Sequence, residues 1–361
     1  MKICLSGGGT GGHVYPALAM GDELKARGHE VIYVGAAERL EGRVAPERGY
    51  EFHPLEAPQY PRRGLLGKIR FLFSLLGSII NARAILRREK PDLVLGVGGY
   101  IMAPTVLAGY TLGIASVIHE FNVTPGKANR LCARYTNMIL LTYDATRAKI
   151  TTKAEMVTVG CPVAPQILQG DRAEALARYN LDGSRPILAV VGGSLGAQAL
   201  NALALAGARL TSRDWQLLWI TGPRYIDEVS EDLGAPPEGV TVVGYEDKME
   251  LAYAAADLVV ARAGSSTLSE LTAIGKPAIL IPSPNVTDNH QEGNARGLES
   301  EGAAWVLTEN DLDIPSALEM INAKLHDKAG LREMATASRG QGHLSVSTDV
   351  ADLIEERFAA S

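Results

Sequence analysis

Five glycines lie between residues 7 and 12, and they separate two apolar segments of different periodicity. The run before them, residues 3–5, is short and apolar, as in a buried strand, whereas residues 18–24 have the apolar spacing of a helix. The segment therefore predicts a strand-to-helix turn, where backbone N–H groups and the helix dipole can hold an anion. His13 follows at the mouth of that turn, which places a titratable group beside a phosphate or sugar site.

Apolar strands and amphipathic helices alternate along the whole chain of 361 residues, a length that favours two domains. This βαβ pattern predicts a doubly wound parallel sheet in each half. The first series runs to a linker at 160–165, and the second opens with a strand and the Gly-rich turn 192–196. Predicted strands are 2–5, 30–34, 93–97, 115–119, 138–142 and 156–159, then 186–191, 215–221, 240–243, 257–261 and 278–281; predicted helices include 16–27 and 105–112.

This weak internal repeat predicts an α/β fold of two Rossmann-like domains that face each other across an interdomain cleft. We expect an N-terminal domain at 1–162 and a C-terminal domain at 163–340. The last helix, about Ser347–Phe358 within 341–361, has no strand partner. We therefore expect it to pack back on the N-terminal domain.

The cysteines of the chain indicate its compartment, and its charge distribution indicates its partners. Cys4, Cys132 and Cys161 are scattered and form no Cys-x-x-Cys pair, which predicts a reducing, cytoplasmic compartment. Met1-Lys2 leads straight into the first strand, so we expect no signal peptide. Residues 1–162 hold 20 Lys and Arg against 13 Asp and Glu, a net charge of +7, and the remainder is −13. The asymmetry indicates different partners for the two halves, unless it is chance variation on a solvated surface; we expect no nucleic-acid partner.

Residues 65–88 form a basic, unusually apolar helical segment. Five of its apolar residues share one helical face, and four more lie outside that apolar stripe and are called the surplus here. The uncharged stretch between Arg70 and Arg83 is too short to span a bilayer, so the segment favours docking at an anionic membrane surface. The alternative is a core helix of the first domain. Both interpretations hold if one face of the helix is buried and the other is exposed. The stripe is Leu65, Ile69, Leu72, Leu76 and Ile79; the surplus is Phe71, Phe73, Leu75 and Ile80; the cations are Arg62, Arg63, Lys68, Arg70, Arg83, Arg87 and Arg88.

Gly7-x-Gly9-x-x-Gly12 formally matches the dinucleotide fingerprint, which is a weak signal alone. The acidic residue that would bind a ribose is missing, because Val34-Gly35 ends the second strand. A nicotinamide enzyme is therefore disfavoured, and the chain has no P-loop motif. The alternatives for this turn are simple packing of helix against strand, and a capping role for His13.

A second turn of this kind lies at 257–270, where a buried strand ends, Gly264 turns and three hydroxyl residues open a helix. The N–H groups of Ser265, Ser266 and Thr267 can take up a diphosphate. Glu270 lies about one and a half turns later, on the flank that a ribose would occupy, and a carboxylate accepts from both ribose hydroxyls. An ordinary Ser/Thr cap with a dipole-compensating glutamate is the alternative.

Other polar clusters follow predicted strands. The segment 282–295 brings amides and a histidine together, which suits sugar hydroxyls, although a polar surface loop is the alternative. Residues 98–104 and 119–122 end two strands of the first domain, where open sheets line a ligand crevice. His119-Glu120 is either an acid–base pair or an orienting pair. Asp311-Leu-Asp313 is interpreted as solvated charge, and no residue cluster has convincing metal-ligand spacing.

With these motifs assembled, the chain resembles the bacterial peptidoglycan N-acetylglucosaminyltransferases, which are GT-B glycosyltransferases. The likeness covers nearly the whole length. The motifs that carry it are 7–16, 98–104, 119–122 with Pro125-Gly126 and Asn129, 192–196, 262–270 and 288–294. The resemblance implies transfer of GlcNAc from UDP-GlcNAc to the 4-hydroxyl of MurNAc in lipid I, with inversion, which gives lipid II. It also implies a peripheral protein on the cytoplasmic membrane face, with cell-wall synthesis proteins as candidate partners.

The resemblance also implies roles for single residues. Thr10, Gly11, Gly12 and Asn122 would reach the donor sugar, Ser194 the diphosphate, and the backbone of Tyr245 the uracil. Ser265, Ser266, Thr267, Leu268 and Ser269 would form the phosphate-binding helix start, with Glu270 on the ribose, Gln291 on the GlcNAc hydroxyls and Arg262 as a nearby cation. Tyr100, Asn129 and Asn294 lie in motifs of the same substrate site.

His13 is the first candidate for the base that deprotonates the acceptor, because an imidazole titrates near neutrality. His119 with Glu120 is the alternative. We expect neither a metal nor a cofactor, since UDP-GlcNAc is a substrate. The chain departs from the family pattern at Ala164, Phe121 and His290, where an arginine and two glutamines are usual. Rival functions are another GT-B enzyme, such as a glycolipid transferase or a UDP-GlcNAc 2-epimerase, and a membrane-docked sugar-nucleotide-binding protein without catalysis.

Overall fold

The computed structural model describes residues 1–58 and 65–359, except the side chains of Leu65, Leu66, Lys68 and Thr287. The chain divides into two compact units. Unit 1 comprises Met1–Pro162 with Leu344–Ser361, and unit 2 comprises Val163–His343.

Unit 1 contains a parallel sheet of seven strands among its described residues, in the order β3-β2-β1-β4-β5-β6-β7. Helices connect the strands, as parallel pairing requires. The strands are β1 Lys2–Ser6, β2 Glu30–Gly35, β3 Glu51–Pro54, β4 Leu93–Gly96, β5 Ala115–Glu120, β6 Met138–Leu141 and β7 Glu155–Thr158; the helices are α1 Gly11–Ala26, α2 Leu40–Glu47, α3 Leu65–Glu89, α4 Met102–Leu112 and α5 Lys127–Cys132.

The two faces of this sheet bury separate apolar clusters, as is usual for parallel sheets. Ile3 and Leu5 of β1 contribute to a cluster with α1, whereas Cys4 between them belongs to a cluster with α3 and α4. Alternate side chains of a strand point to opposite faces, so this one strand contributes to both layers. The predicted apolar runs at β1, β2, β4, β5 and β6 all correspond to observed strands.

Unit 2 repeats the architecture with a six-stranded parallel sheet in its described residues, in the order β10-β9-β8-β11-β12-β13. Its middle strands are fully buried, which explains their continuous apolar sequences. The elements are α6 Arg172–Tyr179, β8 Ile187–Val191, α7 Gln198–Ala208, β9 Gln216–Ile220, α8 Ile226–Leu233, β10 Val240–Val243, α9 Met249–Ala255, β11 Leu258–Ala261, α10 Ser265–Ile274, β12 Ala278–Leu280, α11 His290–Ser300, β13 Trp305–Val306, α12 Ile314–His326 and α13 Lys328–Gly340.

The last helix, α14 (Val346–Phe358), belongs to the core of unit 1. Val346, Val350 and Ile354 are buried in the cluster that contains Ile3 and Leu5. Charges fasten the helix at its rim, where Arg27 pairs with Asp352 at 2.5 Å and with Glu355 at 2.9 Å. Burial of one apolar face against α1 accounts for a helix that has no strand partner.

Helix α1 begins five residues earlier than the sequence predicts, at Gly11 instead of Pro16. Pro16 lies inside the helix, where it lacks an N–H but its fixed φ is compatible with helical backbone. The shift places His13 in the first helical turn and not in the preceding loop. It therefore makes the N-terminus of α1 part of the site described below.

Candidate active site

The order of the strands defines a crevice at the edge of the unit 1 sheet. The chain proceeds in opposite directions from β1 and β4, which are adjacent, so the loops after these strands flank a topological switch point. The backbones of the two loops approach closely, since a Cβ on Gly99 would lie 2.4 Å from the Gly8 carbonyl oxygen. Gly98 and Gly99 also have φ values of +87° and +76°, which L side chains rarely adopt. Glycine is therefore required where these loops meet.

A buried carboxylate holds the first loop in place. Glu41 accepts hydrogen bonds from the N–H of Gly9 at 3.0 Å and from that of Ala36 at 3.3 Å. A Cβ on Gly8 would fall 2.2 Å from the Glu41 carboxylate carbon. Tyr33 fixes the other side of the loop by donating its hydroxyl to the Gly7 carbonyl at 3.1 Å. The sequence offered no sign of Glu41, because it is one of two exposed-looking acids in a short helix 32 residues away.

His13 projects from the first turn of α1 into this crevice. Its Nδ1 lies 3.0 Å from the Thr10 hydroxyl, and its ring is half-buried. A Cβ on Gly98 would lie 2.5 Å from Cδ2 and 2.8 Å from Nε2, so Gly98 leaves room for the imidazole. The ring of Phe121 packs edge-on at 5.9 Å between centroids. With the proton on Nδ1 and directed at Thr10, Nε2 is the basic atom.

The N-terminus of α1 forms part of the same crevice. Gly11 and Gly12 form its first turn, which contains no acidic residue to compensate the helix dipole. Tyr100 is half-buried beside the loop, where its ring would lie 3.7 Å from a Cβ on Gly9. The structure thus brings Thr10, Gly11, Gly12, His13 and Tyr100 together, as the motif analysis expected.

His119 is fully buried at the end of β5. Its Nε2–H donates to the Gly160 carbonyl at 2.9 Å, and burial lowers its pKa to about 3 despite that bond. Its Nδ1 is also buried and has no partner among the described residues. The imidazole therefore stays neutral inside unit 1, and this geometry argues against the acid–base role predicted for His119 as the alternative base.

Glu120 is likewise buried, and its carboxylate organises the loop that follows β5. It accepts from the backbone N–H of Asn122 and of Gly126, each at 2.9 Å, and from the side-chain amides of Asn122 and Asn129. Burial raises the pKa of Glu120, and these donors lower it. Four donors leave little acceptor capacity, so Glu120 is placed for orientation and not for proton transfer.

Asn129 and Asn122 differ in how accessible their side chains are to a ligand. Asn129 is 4% exposed, and its Nδ2 donates to Glu120 and, at 3.2 Å, to the His119 carbonyl. This places Asn129 in the structure of the loop, contrary to the prediction that it binds substrate. Asn122 is half-buried at the crevice. Its side-chain amide donates to Glu120, which orients it, and the Thr146 hydroxyl donates to its backbone carbonyl at 3.0 Å.

Unit 2 has its own switch point between β8 and β11, where the loop 192–196 follows β8 and the turn into α10 follows β11. On the other side of β8, a Cβ on Gly222 in the loop after β9 would lie 2.2 Å from the Cα of Gly196, so the loops after β8 and β9 meet backbone to backbone. Both residues have positive φ, +87° and +81°. Ser194 is exposed on the loop 192–196 after β8. A parallel sheet whose first strand ends in a Gly-rich turn is common to both units and accounts for the internal repeat in the sequence.

The N-terminus of α10 faces the second side of this switch point. Leu268 N–H donates to Gly264 O at 3.0 Å, so the amides of Ser265, Ser266 and Thr267 precede the first intrahelical hydrogen bond. Its first turn contains no acidic residue. The Ser266 hydroxyl oxygen is buried and has no partner in the described chain. This terminus is suited to an anion.

The remaining two residues of the predicted helix start have different surroundings. Leu268 is 1% exposed and packs into the core of unit 2, so its contribution to a ligand is limited to backbone. Ser269 is half-buried on the following turn.

Glu270 lies half-buried on the second turn of α10. Its Oε2 accepts a hydrogen bond from the hydroxyl of Tyr253 at 2.7 Å. Burial raises the pKa of Glu270 to about 7, and the bond from Tyr253 works in the opposite direction. Tyr253, on α9, is 1% exposed, and the sequence analysis did not identify it.

Two predicted ligand groups are engaged within unit 2. Arg262 Nη1 donates to the Ile281 carbonyl at 3.0 Å, and Nη2 pairs with Glu309 at 2.5 Å, which neutralises the residue predicted to be a nearby cation. Asn294 is fully buried and donates to the Ala263 carbonyl at 3.3 Å, which fixes the loop before α10. The prediction that Asn294 binds sugar hydroxyls is therefore opposed by its burial.

Gln291 lies in the first turn of α11, and Tyr245 lies in the loop after β10. Gln291 is half-buried, and its Oε1 accepts from Ser283 N–H at 2.9 Å. Tyr245 follows β10 and is 55% exposed. The next residue, Glu246, is buried and accepts from Arg178, from the Tyr179 hydroxyl and from Lys248 N–H, so it anchors the loop that presents Tyr245.

Helix α3 exposes a row of large apolar side chains. Phe73 is 70% exposed, whereas Phe71 and Leu75 are half-buried, so the exposed face differs from the predicted surplus. Ile79, Ala82 and Leu86 pack into the cluster shared with α4, which shifts the buried stripe toward the C-terminal half. The exposed row consists of Ile69, Leu72, Phe73, Leu76 and Ile80. Arg62 and Arg63 lie outside the described residues.

By length and composition, Ile69–Glu89 qualifies as a membrane span, with a mean hydropathy of 1.5. The sequence analysis had judged the uncharged part too short for this. Ala82 and Leu86 are each 1% exposed, and Arg83 donates to the Thr111 carbonyl at 3.2 Å. The segment that contains Ala82 and Leu86 is thus packed on unit 1, and the exposed row lies before it, between Ile69 and Ile80.

Strand β3 and the C-terminal end of α3 bring together Glu51, His53 and Glu89, whose potential ligand atoms lie within 4.8 Å of one another. Cations occupy this cluster, since Arg88 donates to Nδ1 of His53 at 2.9 Å and Lys2 pairs with Glu89 at 3.0 Å. Arg88 and Lys2 lower the pKa of Glu89 to about 2. The cluster is an ion-pair network that joins β1, β3 and α3.

Comparison with known proteins agrees with this architecture. The glycosyltransferase family 28 N-terminal domain matches residues 3–141, and the family 28 C-terminal domain matches residues 187–354. The UDP-N-acetylglucosamine--N-acetylmuramyl-(pentapeptide) pyrophosphoryl-undecaprenol N-acetylglucosamine transferase of Halothermothrix orenii is 38% identical, over 100% of both chains. The chain belongs to glycosyltransferase family 28. The enzyme of the same name from Listeria monocytogenes is 36% identical, over 98% of this chain and 99% of that one.

Solved structures extend the likeness of this family 28 chain to the fold. The crystal structure of Acinetobacter baumannii MurG matches with a TM-score of 0.79 at 28% identity, over 98% of this chain and 99% of that chain. The calicheamicin glycosyltransferase CalG4 matches with a TM-score of 0.73 at 16% identity, over 99% and 98% of the two chains, which shows the fold alone. The predicted GT-B fold and the predicted family of N-acetylglucosaminyltransferases are confirmed.

Proposed function

We propose that this glycosyltransferase moves GlcNAc from UDP-GlcNAc to the 4-hydroxyl of MurNAc in lipid I, which gives lipid II. Its full-length relatives carry the corresponding transferase name. The observation that carries the proposal is the N-terminus of α10, where three amides precede the first intrahelical hydrogen bond and Glu270 follows on the second turn. Diphosphate and ribose are the two groups that this arrangement suits.

The proposal assigns the nucleotide to unit 2. The amides of residues 265–267 and the exposed Ser194 bind the diphosphate, Glu270 accepts from the ribose hydroxyls, and the backbone beside Tyr245 contacts the uracil. Gln291 binds the GlcNAc hydroxyls. Arg262 acts through its pairing with Glu309, which keeps the strand end before α10 in place and leaves the helix terminus as the source of positive potential.

The proposal assigns the acceptor to the His13 crevice of unit 1, with Thr10, Gly11, Gly12 and Asn122 toward the sugar. His13 Nε2 takes the proton of the MurNAc 4-hydroxyl as its oxygen attacks the anomeric carbon of GlcNAc. The bond from that carbon to the UDP oxygen breaks, and UDP leaves with the electron pair. Attack opposite the leaving group inverts the anomeric centre.

Negative charge develops on UDP in this step, and preorganised amides at a helix start stabilise such charge without reorganisation. The proposal therefore includes no metal or cofactor. Transfer at an unchanged rate after chelation of divalent cations supports this part of the proposal, and loss of transfer that added Mg²⁺ restores contradicts it.

The exposed row on α3 supports peripheral docking at the cytoplasmic membrane face, where the lipid acceptor resides. Five large exposed apolar side chains lie between residues 69 and 80, with the exposed Arg70 among them and Arg87 beyond them, and they combine apolar insertion with attraction to anionic headgroups. The packing of Ala82 and Leu86 on unit 1 supports docking in preference to spanning.

The test is transfer of radiolabelled GlcNAc from UDP-GlcNAc to a lipid I analogue. We expect one labelled product that depends on both substrates. Conversion of UDP-GlcNAc without an acceptor would favour an epimerase. Binding of UDP-GlcNAc without turnover would favour a binding protein, and transfer to a different glycolipid alone would favour another GT-B transferase.

A further inference from the structure

Three buried or half-buried glutamates of this chain differ in how completely their carboxylates are satisfied. Glu120 accepts from two backbone and two side-chain donors, and Glu246 accepts from Arg178, Tyr179 and Lys248. Both carboxylates are saturated by the protein itself. Glu270 has one donor in the described chain, the hydroxyl of Tyr253. An ionised carboxylate accepts about four hydrogen bonds, so Glu270 retains capacity for a ligand.

Tyr253 is unusually well placed to control that carboxylate. It is 1% exposed in the core of unit 2, among residues that include Leu268 and Leu271 of α10. Burial raises its pKa well above the ordinary tyrosine value, so its hydroxyl is a permanent donor at neutral pH. A buried hydroxyl needs a partner, and at 2.7 Å the one it has is Glu270 Oε2. A rigid ring thus fixes one oxygen of a flexible side chain.

We propose that Tyr253 is the positioning residue that holds the Glu270 carboxylate in the orientation from which it accepts the ribose hydroxyls of the donor nucleotide. The inference rests on the proposed function, because it takes a UDP-sugar as the ligand of unit 2. It predicts that Tyr253, which itself touches no nucleotide, controls discrimination between ribose and deoxyribose. A glutamate with free χ angles would lose this preorganisation on binding.

The test is calorimetric binding of UDP and of 2′-deoxy-UDP to the full-length protein. A hydrogen bond to a charged group supports about tenfold discrimination, so we expect the wild type to prefer UDP by about that factor. Tyr253→Phe keeps the ring and removes the hydroxyl; we expect it to bring the preference close to one while the affinity for 2′-deoxy-UDP changes little. In turnover, we expect a higher KM for UDP-GlcNAc at an unchanged kcat.

Tyr179→Phe is the matched control, since Tyr179 is a buried tyrosine that donates to another glutamate, Glu246, at the same distance of 2.7 Å. It should keep the wild-type ratio of the two affinities. Glu270→Gln should lose the ratio, and the double variant with Tyr253→Phe should lose no more, because both substitutions remove one unit of recognition.

Three results would each overturn the inference. The first is a Tyr253→Phe variant that keeps the wild-type ratio of UDP to 2′-deoxy-UDP affinities, and the second is additive losses of UDP affinity in the double variant. The third is a wild type without preference for UDP over 2′-deoxy-UDP. The proposed function fails separately: a wild type that prefers UDP over 2′-deoxy-UDP and yet transfers no GlcNAc contradicts the transferase proposal while the role of Tyr253 stands.

Discussion

The carboxylate of Glu41 accepts the N–H of Gly9 at 3.0 Å, across 32 residues of sequence. Because the loop that contains Gly9 leads directly into Thr10 and His13, this bond connects a buried acid to the His13 crevice. Glu41→Ala leaves two partly buried N–H groups without their acceptor, at a cost of about 2 kcal/mol. We expect a lower melting temperature and a kcat for transfer reduced about tenfold, with UDP affinity unchanged.

Glu47→Ala is the control for that substitution, because Glu47 is an exposed glutamate on the same helix. It should leave both melting temperature and kcat near wild type. Unaltered kcat in folded Glu41→Ala would show that the crevice does not depend on this carboxylate.

His13 is the residue on which the proposed chemistry depends. Loss of a general base typically costs about 100- to 10,000-fold in rate, so we expect His13→Ala to reduce kcat by at least about 100-fold. Gly98→Ala should act on the same ring without removing it, since its Cβ would fall 2.5 Å from His13 Cδ2. Steady-state transfer assays with folded variants check both. Near-wild-type turnover in His13→Ala would refute the assignment of the base.

Glu270 predicts a pH dependence of nucleotide binding. Its pKa is raised to about 7, so the free protein holds a protonated carboxyl below that pH and a carboxylate above it. If the carboxylate accepts from ribose, UDP affinity rises with pH and approaches tenfold per unit below 7. Tyr253→Phe should move the midpoint upward, because the bond from Tyr253 lowers this pKa.

The phosphates of UDP titrate too, and Glu270→Gln separates the two effects. The difference between wild-type and variant profiles should show the rise, with the variant following phosphate ionisation alone. Identical profiles would mean that Glu270 does not titrate with ligand binding.

The exposed row on α3 predicts that polar substitutions within it weaken membrane binding. Leu72→Gln with Phe73→Gln removes two side chains that are 55% and 70% exposed, without changing the net charge. We expect vesicle affinity to fall at least about tenfold, given about 1.5–3 kcal/mol for each fully inserted side chain. Sedimentation with phosphatidylglycerol vesicles measures it.

Leu168→Gln with Leu210→Gln provides the control, since these leucines of unit 2 are 48% and 42% exposed. This pair should bind vesicles like the wild type. Equal vesicle binding by both double variants would mean that the α3 row is not the docking surface.

Most strands were predictable because fully buried parallel strands are continuous apolar runs. β3 and β13 were missed, since Glu51–Pro54 is polar and Trp305–Val306 has two residues. The burial of His119 could have been inferred from its position at the end of such a run. The roles of Glu41 and Tyr253 could not be inferred from the sequence, because only the packing of helices on the sheet brings them next to Gly9 and Glu270.

The configuration of the transferred sugar tests the central claim most directly. Wild-type protein is incubated with UDP-GlcNAc and a soluble lipid I analogue, and the product linkage is determined by NMR. In-line displacement with His13 as base predicts one GlcNAc joined β(1→4) to MurNAc, absent in the His13→Ala reaction over the same interval. An α-linked product, or no transfer by folded protein that binds both substrates, would contradict the account.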